Sequence, residues 1–345
     1  MIGPKGSGKP DLIVEPTSRV NWQVFDAIST GAGYNWPRFL AYEGNDVSIF
    51  DWLKTRETER LTFRPCADLT IDMSDARLDT LEIEPRGYGL RLTLPIGLRR
   101  LAIKGDPSVI DWAHTPDFDN IQVKISASTD FDLTSLHGLK WRENIRYLGI
   151  TRAVVGDEGF DCASLTQCKI LQFLRLYGGM RNLEALSQLP LQGLELRFVP
   201  DLSSLPNVSG WPLQNLVAWN VDEARGNQLV TELKSTGNEV RISQLRSKAW
   251  FVAEHGLPFA AWPKKNEKPA SKAFKSAAKH LSKANAPVEA KAVIKAFADA
   301  INALDGIETS EREDAAEAVR LLAETRPDLI SAEQAQSQFD VVRRF

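Results

Sequence analysis

Residues 171–197, LQFLRLYGGMRNLEALSQLPLQGLELR, contain the pattern that decides the fold. Two pairs of leucines, Leu174/Leu176 and Leu194/Leu196, stand 20 residues apart, and a single residue separates the members of each pair. Alternation of this kind is typical of a short β-strand with one buried face. The stretch therefore predicts two equivalent strands joined by a segment of constant length.

The same pairing recurs along most of the chain. The other pairs are Leu81/Ile83, Leu101/Ile103, Val123/Ile125, Leu148/Ile150, Leu216/Ala218 and Val240/Ile242. Successive pairs begin 20 to 26 residues apart. One strand per repeat of this length predicts a solenoid, because a lone strand cannot bury its apolar face and neighbouring repeats must stack. Leucines at every third residue, as at Leu183, Leu186 and Leu189, predict a helical turn or 3₁₀ segment within a repeat.

Between residues 61 and 245 this pattern resembles the irregular leucine-rich-repeat proteins of bacteria. The strand pairs and the period agree with that family, whereas its regular asparagine ladder is missing. The resemblance implies an α/β fold, a leucine-rich-repeat-like solenoid with a parallel β-sheet on its concave face. A β-sandwich and another kind of parallel β-helix stay open as alternatives, because strand spacing alone does not exclude them.

Strand alternation sends the residue between each pair, and the residue after it, to the opposite side of the sheet. One predicted column is Glu82, Ala102, Lys124, Gly149, Arg175, Glu195, Val217 and Arg241. The second is Glu84, Lys104, Ser126, Thr151, Tyr177, Arg197, Trp219 and Ser243. Arginine, tyrosine and tryptophan are the residue types that most often carry interface energy. We therefore predict a partner-binding site at Arg175, Tyr177, Glu195, Arg197, Trp219 and Arg241.

Motifs for catalysis or metal binding are missing from the sequence. The histidines are far apart, at His114, His137, His255 and His280. The cysteines are too few for a disulfide framework and are expected to be buried or half-buried thiols, at Cys66, Cys162 and Cys168. The sequence predicts no enzyme activity, no catalytic residue, no metal and no cofactor.

Residues 3–10, GPKGSGKP, nearly match a phosphate-binding loop. That motif ends in a serine or threonine whose hydroxyl binds Mg²⁺, but Pro10 has neither a hydroxyl nor a backbone N–H. Only two residues precede Gly3, too few for the strand that aims such a loop. We therefore interpret residues 1–11 as a flexible tail.

Four further segments complete the predicted organisation. Residues 12–60 are rich in aromatic side chains and are expected to cap the first repeat. The predicted solenoid covers 61–249, and a linker rich in proline and lysine follows over 250–270. Residues 271–345 show helical periodicity and predict a small bundle. Two capping boxes, Ser310 to Glu313 and Ser331 to Gln334, are expected to start its last two helices.

A lysine stripe marks the first predicted helix of this bundle. Its members on one face of that helix are Lys272, Lys275, Lys279 and Lys283, and they follow Lys264, Lys265 and Lys268 of the predicted linker. Basic stripes bind phosphate backbones, so the alternative function is nucleic-acid association through the helix near 264–283. The net charge of −3 and the acidic residues that follow in the same domain favour a solvated face instead.

The stretch 294–315, IKAFADAINALDGIETSEREDA, resembles a C-terminal segment of uncharacterised bacterial proteins, some of which are linked with toxin-immunity loci. With the repeat, it predicts a non-enzymatic module that binds another protein through a concave surface. More specifically, it predicts an immunity protein that occludes a toxin domain. No apolar run is long enough for a signal peptide or a membrane span, so we expect a cytoplasmic bacterial protein without a membrane partner.

Overall fold

The computed structural model covers the 345-residue chain. It describes all residues except 6–9, 29–32, 34–35, 115–120, 128–130, 132, 134–142, 156–158, 234–238, 258, 260–261 and 345. Two compact units are present, Met1–Ala153 with Asp157–Leu245 and Val154–Gly156 with Arg246–Phe345. The main boundary at Leu245 lies four residues before the predicted end of the repeat at 249.

The first unit is built on parallel strands. In chain order the strands are β1 (Ile2–Gly3), β2 (Leu12–Ile13), β3 (Phe39–Glu43), β4 (Thr58–Arg64), β5 (Leu69–Asp72), β6 (Leu78–Ile83), β7 (Leu90–Thr93), β8 (Arg100–Lys104), β9 (Ile110–His114), β10 (Gln122–Ser126), β11 (Tyr147–Thr151), β12 (Phe160–Asp161), β13 (Phe173–Tyr177), β14 (Met180–Arg181), β15 (Gly193–Arg197), β16 (Asn215–Trp219) and β17 (Glu239–Ser243). Twelve strands of the described chain form one parallel sheet in the order β17-β16-β15-β13-β11-β10-β8-β6-β4-β3-β1-β2. Two α-helices join this unit, α1 (Ser48–Leu53) and α2 (Glu223–Leu233). The predicted mixed α/β class with a large parallel sheet is confirmed.

The paired aliphatic residues lie side by side across this sheet. The first members are in register in the order Leu81, Leu101, Val123, Leu148, Leu174, Leu194, Leu216 and Val240. From β6 to β16 both members of every pair are at most 4% exposed. A fully buried leucine contributes roughly 2 kcal/mol to the free energy of unfolding, so this stacking is a large source of stability in the unit.

A second parallel sheet consists of β5, β7 and β9. Each of the three repeats that begin with β4, β6 and β8 therefore contributes one strand to each sheet. This second set of strands was not predicted from the sequence, although its pairs also recur 20 or 21 residues apart. They are Leu69/Ile71, Leu90/Leu92 and Ile110/Trp112. Further along, β12 and β14 form a similar two-stranded pair.

The backbone turns in the same way after several strands. The residue directly after the strand has a positive φ at Gly105 (114°), Gly178 (94°), Phe198 (51°), Asn220 (49°) and Gln244 (58°). At position 178 a Cβ atom would collide with the carbonyl oxygen of Arg152, so this turn requires glycine. The repeats thus share the same left-handed backbone conformation after the strand, even where the residue type at that position changes. The predicted 3₁₀ segment is also present, at Leu183–Gln188.

The N-terminal region differs from its prediction as a tail followed by a cap. Ile2–Gly3 form β1, which pairs with β3, and Ile2 is buried, so residues 1–11 are not simply a flexible tail. Half of the phosphate-loop look-alike, residues 6–9, lies outside the described chain. Within 12–60, β3 continues the large sheet, and the ring of Trp22 packs 5.0 Å from that of Tyr42. Burial of these apolar side chains favours strand pairing over solvent exposure.

The second unit is helical. Its helices are α3 (Lys248–His255), α4 (Lys264–Leu281), α5 (Pro287–Asn302), α6 (Thr309–Glu324) and α7 (Ala332–Val342). They enclose a core of their own, with the rings of Phe274 and Phe297 6.3 Å apart. Among the described residues, no helix is both long enough and apolar enough to cross a membrane.

The predicted linker over 250–270 is largely helical. Helix α3 occupies its first residues, and α4 begins at Lys264, seven residues before the predicted start, with Pro269 inside it. The reason is burial, because Phe259 and Trp262 lie in the helical core, with their rings 4.9 Å apart.

The two predicted capping boxes have different outcomes. The one at Ser331 and Gln334 is confirmed, because both of its reciprocal hydrogen bonds start α7. The one at Ser310 and Glu313 is wrong, because α6 is capped by Glu308 with Glu311 as its partner. Glu311 is 8% exposed, so burial of this carboxyl at the helix start accompanies the earlier cap.

Candidate partner-binding surface

The large sheet carries three rows of side chains on the face opposite to the buried pairs, and we call this surface the open face. The first row is Arg60, Thr80, Arg100, Gln122, Tyr147, Phe173, Gly193, Asn215 and Glu239. The central row is Thr62, Glu82, Ala102, Lys124, Gly149, Arg175, Glu195, Val217 and Arg241. The third row is Lys104, Ser126, Thr151, Tyr177, Arg197, Trp219 and Ser243. The two columns expected from the sequence correspond to the central and third rows, with Glu84 just beyond the end of β6.

Glu195 connects two of the predicted site residues. Its carboxylate accepts a hydrogen bond from Nε of Arg175 at 2.5 Å and another from Nε of Arg197. Both arginines remain substantially exposed, at 58% and 43% of their side-chain surface. Exposed pairs add at most about 1 kcal/mol to stability. Their main effect is to hold two guanidinium groups at fixed positions on the open face.

The aromatic residues of the site form a continuous group next to these charges. The ring of Phe198 lies 5.0 Å from Tyr177 and 4.9 Å from Trp219, the latter in an edge-to-face arrangement. The Arg197 guanidinium carbon is 5.8 Å from the centre of the Trp219 ring. Phe198 reaches this position because of its left-handed backbone, and the sequence prediction did not include it.

Arg241 lies apart from the other predicted site residues. Val217 separates it from Glu195 in the central row, and its guanidinium pairs with Glu239 on its own strand at 2.5 Å. The structure therefore brings Arg175, Glu195 and Arg197 into one hydrogen-bonded group. Arg241 is not part of this group and lies on β17, the strand at the edge of the sheet.

The first row contains functional candidates that the sequence analysis missed. The rings of Tyr147 and Phe173 are stacked 4.4 Å apart with an interplanar angle of 5°. The Phe173 ring also covers Gly193, where a Cβ atom would lie only 2.6 Å from Cδ1 of Phe173. The available signal was strand alternation, which puts the residue before each aliphatic pair on the same face as the residue between them.

A depression of about 740 Å³ lies in the open face. In its middle, Lys124 stands between the small residues Ala102 and Gly149, and the Tyr147–Phe173 stack forms part of its wall. The depression is open to solvent and lined by both charged and apolar groups. An arrangement of this kind can hold side chains from another molecule.

A charged network borders the depression near β4, β6 and β8. Arg64 Nε donates to Oε2 of Glu84 at 2.5 Å, and Lys104 Nζ lies 3.3 Å from Oε1 of the same carboxylate and also pairs with Glu82. Burial would raise the pKa of Glu84, but the hydrogen bonds and charges of Arg64 and Lys104 outweigh it and hold that pKa below its usual value. Glu84 is therefore ionised at neutral pH and already paired with Arg64 and Lys104.

The lysine stripe lies on the outer side of α4. Lys272 and Lys279 are exposed, whereas Lys275 pairs with Glu254 of α3 at 3.0 Å. Nothing in the structure tests nucleic-acid binding by this surface, which stays a prediction.

The cysteines agree with their predicted structural role. Cys162 and Cys168 are buried free thiols and Cys66 is half-buried. Burial raises the pKa of the Cys162 thiol, which disfavours the reactive thiolate. Across the part of the chain that the structure describes, no three histidine, cysteine, aspartate or glutamate side chains are placed to hold a metal ion.

No family model, curated protein or solved structure matches this chain. The leucine-rich-repeat and toxin-immunity resemblances therefore stay predictions.

Proposed function

We propose that this chain is a leucine-rich-repeat-like solenoid that binds another protein through its open face. The observation that supports the proposal most strongly is the register of the three rows, which sets aromatic and arginine side chains beside a depression in a rigid parallel sheet. Repeat proteins commonly use the sheet side of their repeats to bind partners.

The size of the open face fits this role. From β4 to β17 it spans nine strands of the large sheet. At about 4.8 Å between neighbouring strands, its length is roughly 40 Å. A standard protein interface needs about 800 Å² on each partner. The surface is therefore long enough to carry such an interface without contributions from other parts of the molecule.

In its more specific form, the proposal is an immunity protein that occludes a cognate bacterial toxin. Occlusion needs a large, preorganised surface and no turnover, and the paired arginines of the open face offer such preorganisation. This form rests on the resemblance of residues 294–315.

The proposal is tested by the double change Arg175→Ala with Trp219→Ala. A partner isolated with the wild-type chain is identified by mass spectrometry, purified, and titrated calorimetrically against each variant. Because truncated arginine and tryptophan anchors each cost about 2 kcal/mol or more, we expect the double change to weaken binding by at least about 100-fold.

The matched control is Arg91→Ala. Arg91 is an exposed arginine of the second sheet, paired with Asp111 at 3.2 Å, and it lies outside the open face. Its removal should leave partner affinity unchanged. Equal affinity of the wild-type chain and the double variant would contradict the assignment of the open face.

A further inference from the structure

We propose that the partner presents an acidic, extended protein segment to the open face, with carboxylates bound around Lys124, Arg100 and Arg60. This inference rests on the proposed function and names the chemistry of its partner. It follows from the charges that line the depression, from the space around Lys124 and from the adjacent aromatic wall.

The lining of the depression has a surplus of positive charge. It contains five cationic side chains, Arg60, Arg100, Lys104, Lys124 and Arg175, and two acidic ones, Glu82 and Glu195. Both acids are already paired, Glu82 with Lys104 and Glu195 with Arg175. The surplus therefore belongs to the remaining three cations.

These three cations have little or no internal compensation. Among the described residues, no carboxylate oxygen lies within 4 Å of Arg60 or Lys124. Arg100 is 3.8 Å from Oδ2 of Asp79, a carboxylate that also has Arg99 within 3.6 Å. A partner carboxylate would therefore gain a charge-assisted hydrogen bond without displacing an existing partner of Lys124.

The space around Lys124 suits a side chain that approaches from outside. Its neighbours in the central row are Ala102 and Gly149, which offer at most one side-chain carbon. The nearest atom to a Cβ built at 149 is Cγ of Lys124, at 3.5 Å. Lys124 is thus exposed and flanked in the row by two small residues. This gap leaves its side chain open to a carboxylate that approaches from the solvent side.

The stacked rings of Tyr147 and Phe173 lie next to this gap in the first row. An extended segment places alternate side chains on one side, so carboxylates at Lys124 and an apolar group on the rings are compatible with one strand-like peptide. The combination of charge surplus and apolar wall favours protein over a more uniformly charged ligand.

Nucleic acid is the less favoured anionic occupant. Each strand of a DNA duplex carries a negative charge about every 3.4 Å, and such a ligand needs a continuous positive track. The carboxylates of Glu82 and Glu195 interrupt the central row, and Glu84 lies just beyond the end of the strand that carries Glu82. Because each of these carboxylates already pairs with a neighbouring cation, the free positive charge is divided into separate positions. Such a pattern suits a peptide with spaced carboxylates better than a continuous phosphate backbone.

The experiment selects peptides from an unbiased display library of 12-residue sequences on the full-length chain and, in parallel, on its Gly149→Trp variant. The new side chain has room at its base and would occupy the part of the depression beside Lys124. Peptides that bind the wild-type chain but not the variant should contain about twice the aspartate and glutamate of the unselected library, and little lysine or arginine.

The best such peptide is then measured by fluorescence anisotropy. Lys124→Glu should lower its affinity at least about tenfold, because repulsion replaces attraction at the centre of the site. Lys272→Glu, the same change on exposed helix α4, should leave it unchanged. Circular dichroism melting of each variant identifies any loss of folding.

The outcomes separate the two proposals. Face-dependent peptides without acidic enrichment, or equal effects of Lys124→Glu and Lys272→Glu, would overturn the acidic-segment inference and leave the proposed function standing. Failure to recover any peptide that distinguishes the wild-type chain from Gly149→Trp would count against the open face itself. Nucleic acid would be favoured instead if a random 20-nucleotide DNA bound the wild-type chain more tightly than the peptides do and did not bind the Gly149→Trp variant.

Discussion

Gly193 shapes the open face because it has no side chain. The absence of a side chain lets the Phe173 ring lie against the neighbouring strand and stack on Tyr147 at 4.4 Å. Strand alternation in the sequence places Gly193 on this face, but it does not reveal the ring above it. That contact depends on the pairing of β13 with β15, which sequence alone does not give residue by residue.

Gly193→Ala should therefore destabilise the chain by about 1–3 kcal/mol, because the new Cβ overpacks against Phe173. The measurement is the free energy of unfolding in urea. Gly149→Ala is the control, since its Cβ meets nothing closer than 3.5 Å and a strand interior favours alanine over glycine. Similar losses in both variants would show that the ring contact does not govern the effect.

Helix α2 is fixed to the sheet unit by a buried ion pair. Arg225 Nη1 donates to Oε1 of Glu232 at 2.7 Å, and Arg225 Nε donates to the carbonyl of Leu205 at 2.9 Å. The backbone N–H of Val208 donates to the other carboxylate oxygen at 3.1 Å. The pair thus joins the helix to the segment that precedes β16, and both charges depend on it for compensation.

Glu232→Gln should lower the free energy of unfolding at pH 7 by about 3 kcal/mol, because it leaves Arg225 buried without a counter-charge. Glu223→Gln, at the exposed start of the same helix, is the control and should have little effect. Equal effects of the two changes at pH 7 would contradict the role of the pair.

The same pair has a defined pH dependence. Burial raises the pKa of Glu232, but the hydrogen bonds from Arg225 and Val208 lower it by more than burial raises it. The folded-state pKa therefore lies below the ordinary value of 4.5. Its contribution is therefore present above about pH 4.5 and is lost as the pH falls through the folded-state pKa. The difference in unfolding free energy between the wild-type chain and Glu232→Gln should narrow in acid, as measured by urea unfolding between pH 7 and pH 3.

Elements were predictable where one burial pattern determined them. The L-x-L pairs gave the strands of the large sheet, because one side of each strand is buried and the other is not. The second sheet was missed although Leu90 and Leu92 show the same alternation. The predicted start of helix α4 was seven residues too late, because Pro269 indicates a break in a helix. Burial of Phe274 and Trp262 instead keeps the surrounding segment in the core.

At the scale of the whole molecule, the chain consists of a parallel-sheet unit and a helical unit, each with its own hydrophobic core. The sequence predicted both units and two of the three rows of the open face. It did not predict the contacts that organise the site, since the Arg175–Glu195–Arg197 group depends on rotamers and on neighbouring strands. The central claim is that the open face of the sheet unit is where another protein binds.

Site-specific photo-crosslinking in cells tests this claim most directly. A photoreactive phenylalanine derivative is placed at Gly149, in the middle of the depression, and separately at Tyr88, an exposed turn residue outside the open face. The account predicts a discrete covalent adduct with one other protein from position 149 and none from position 88. No adduct at 149, or the same adduct from both positions, would contradict it.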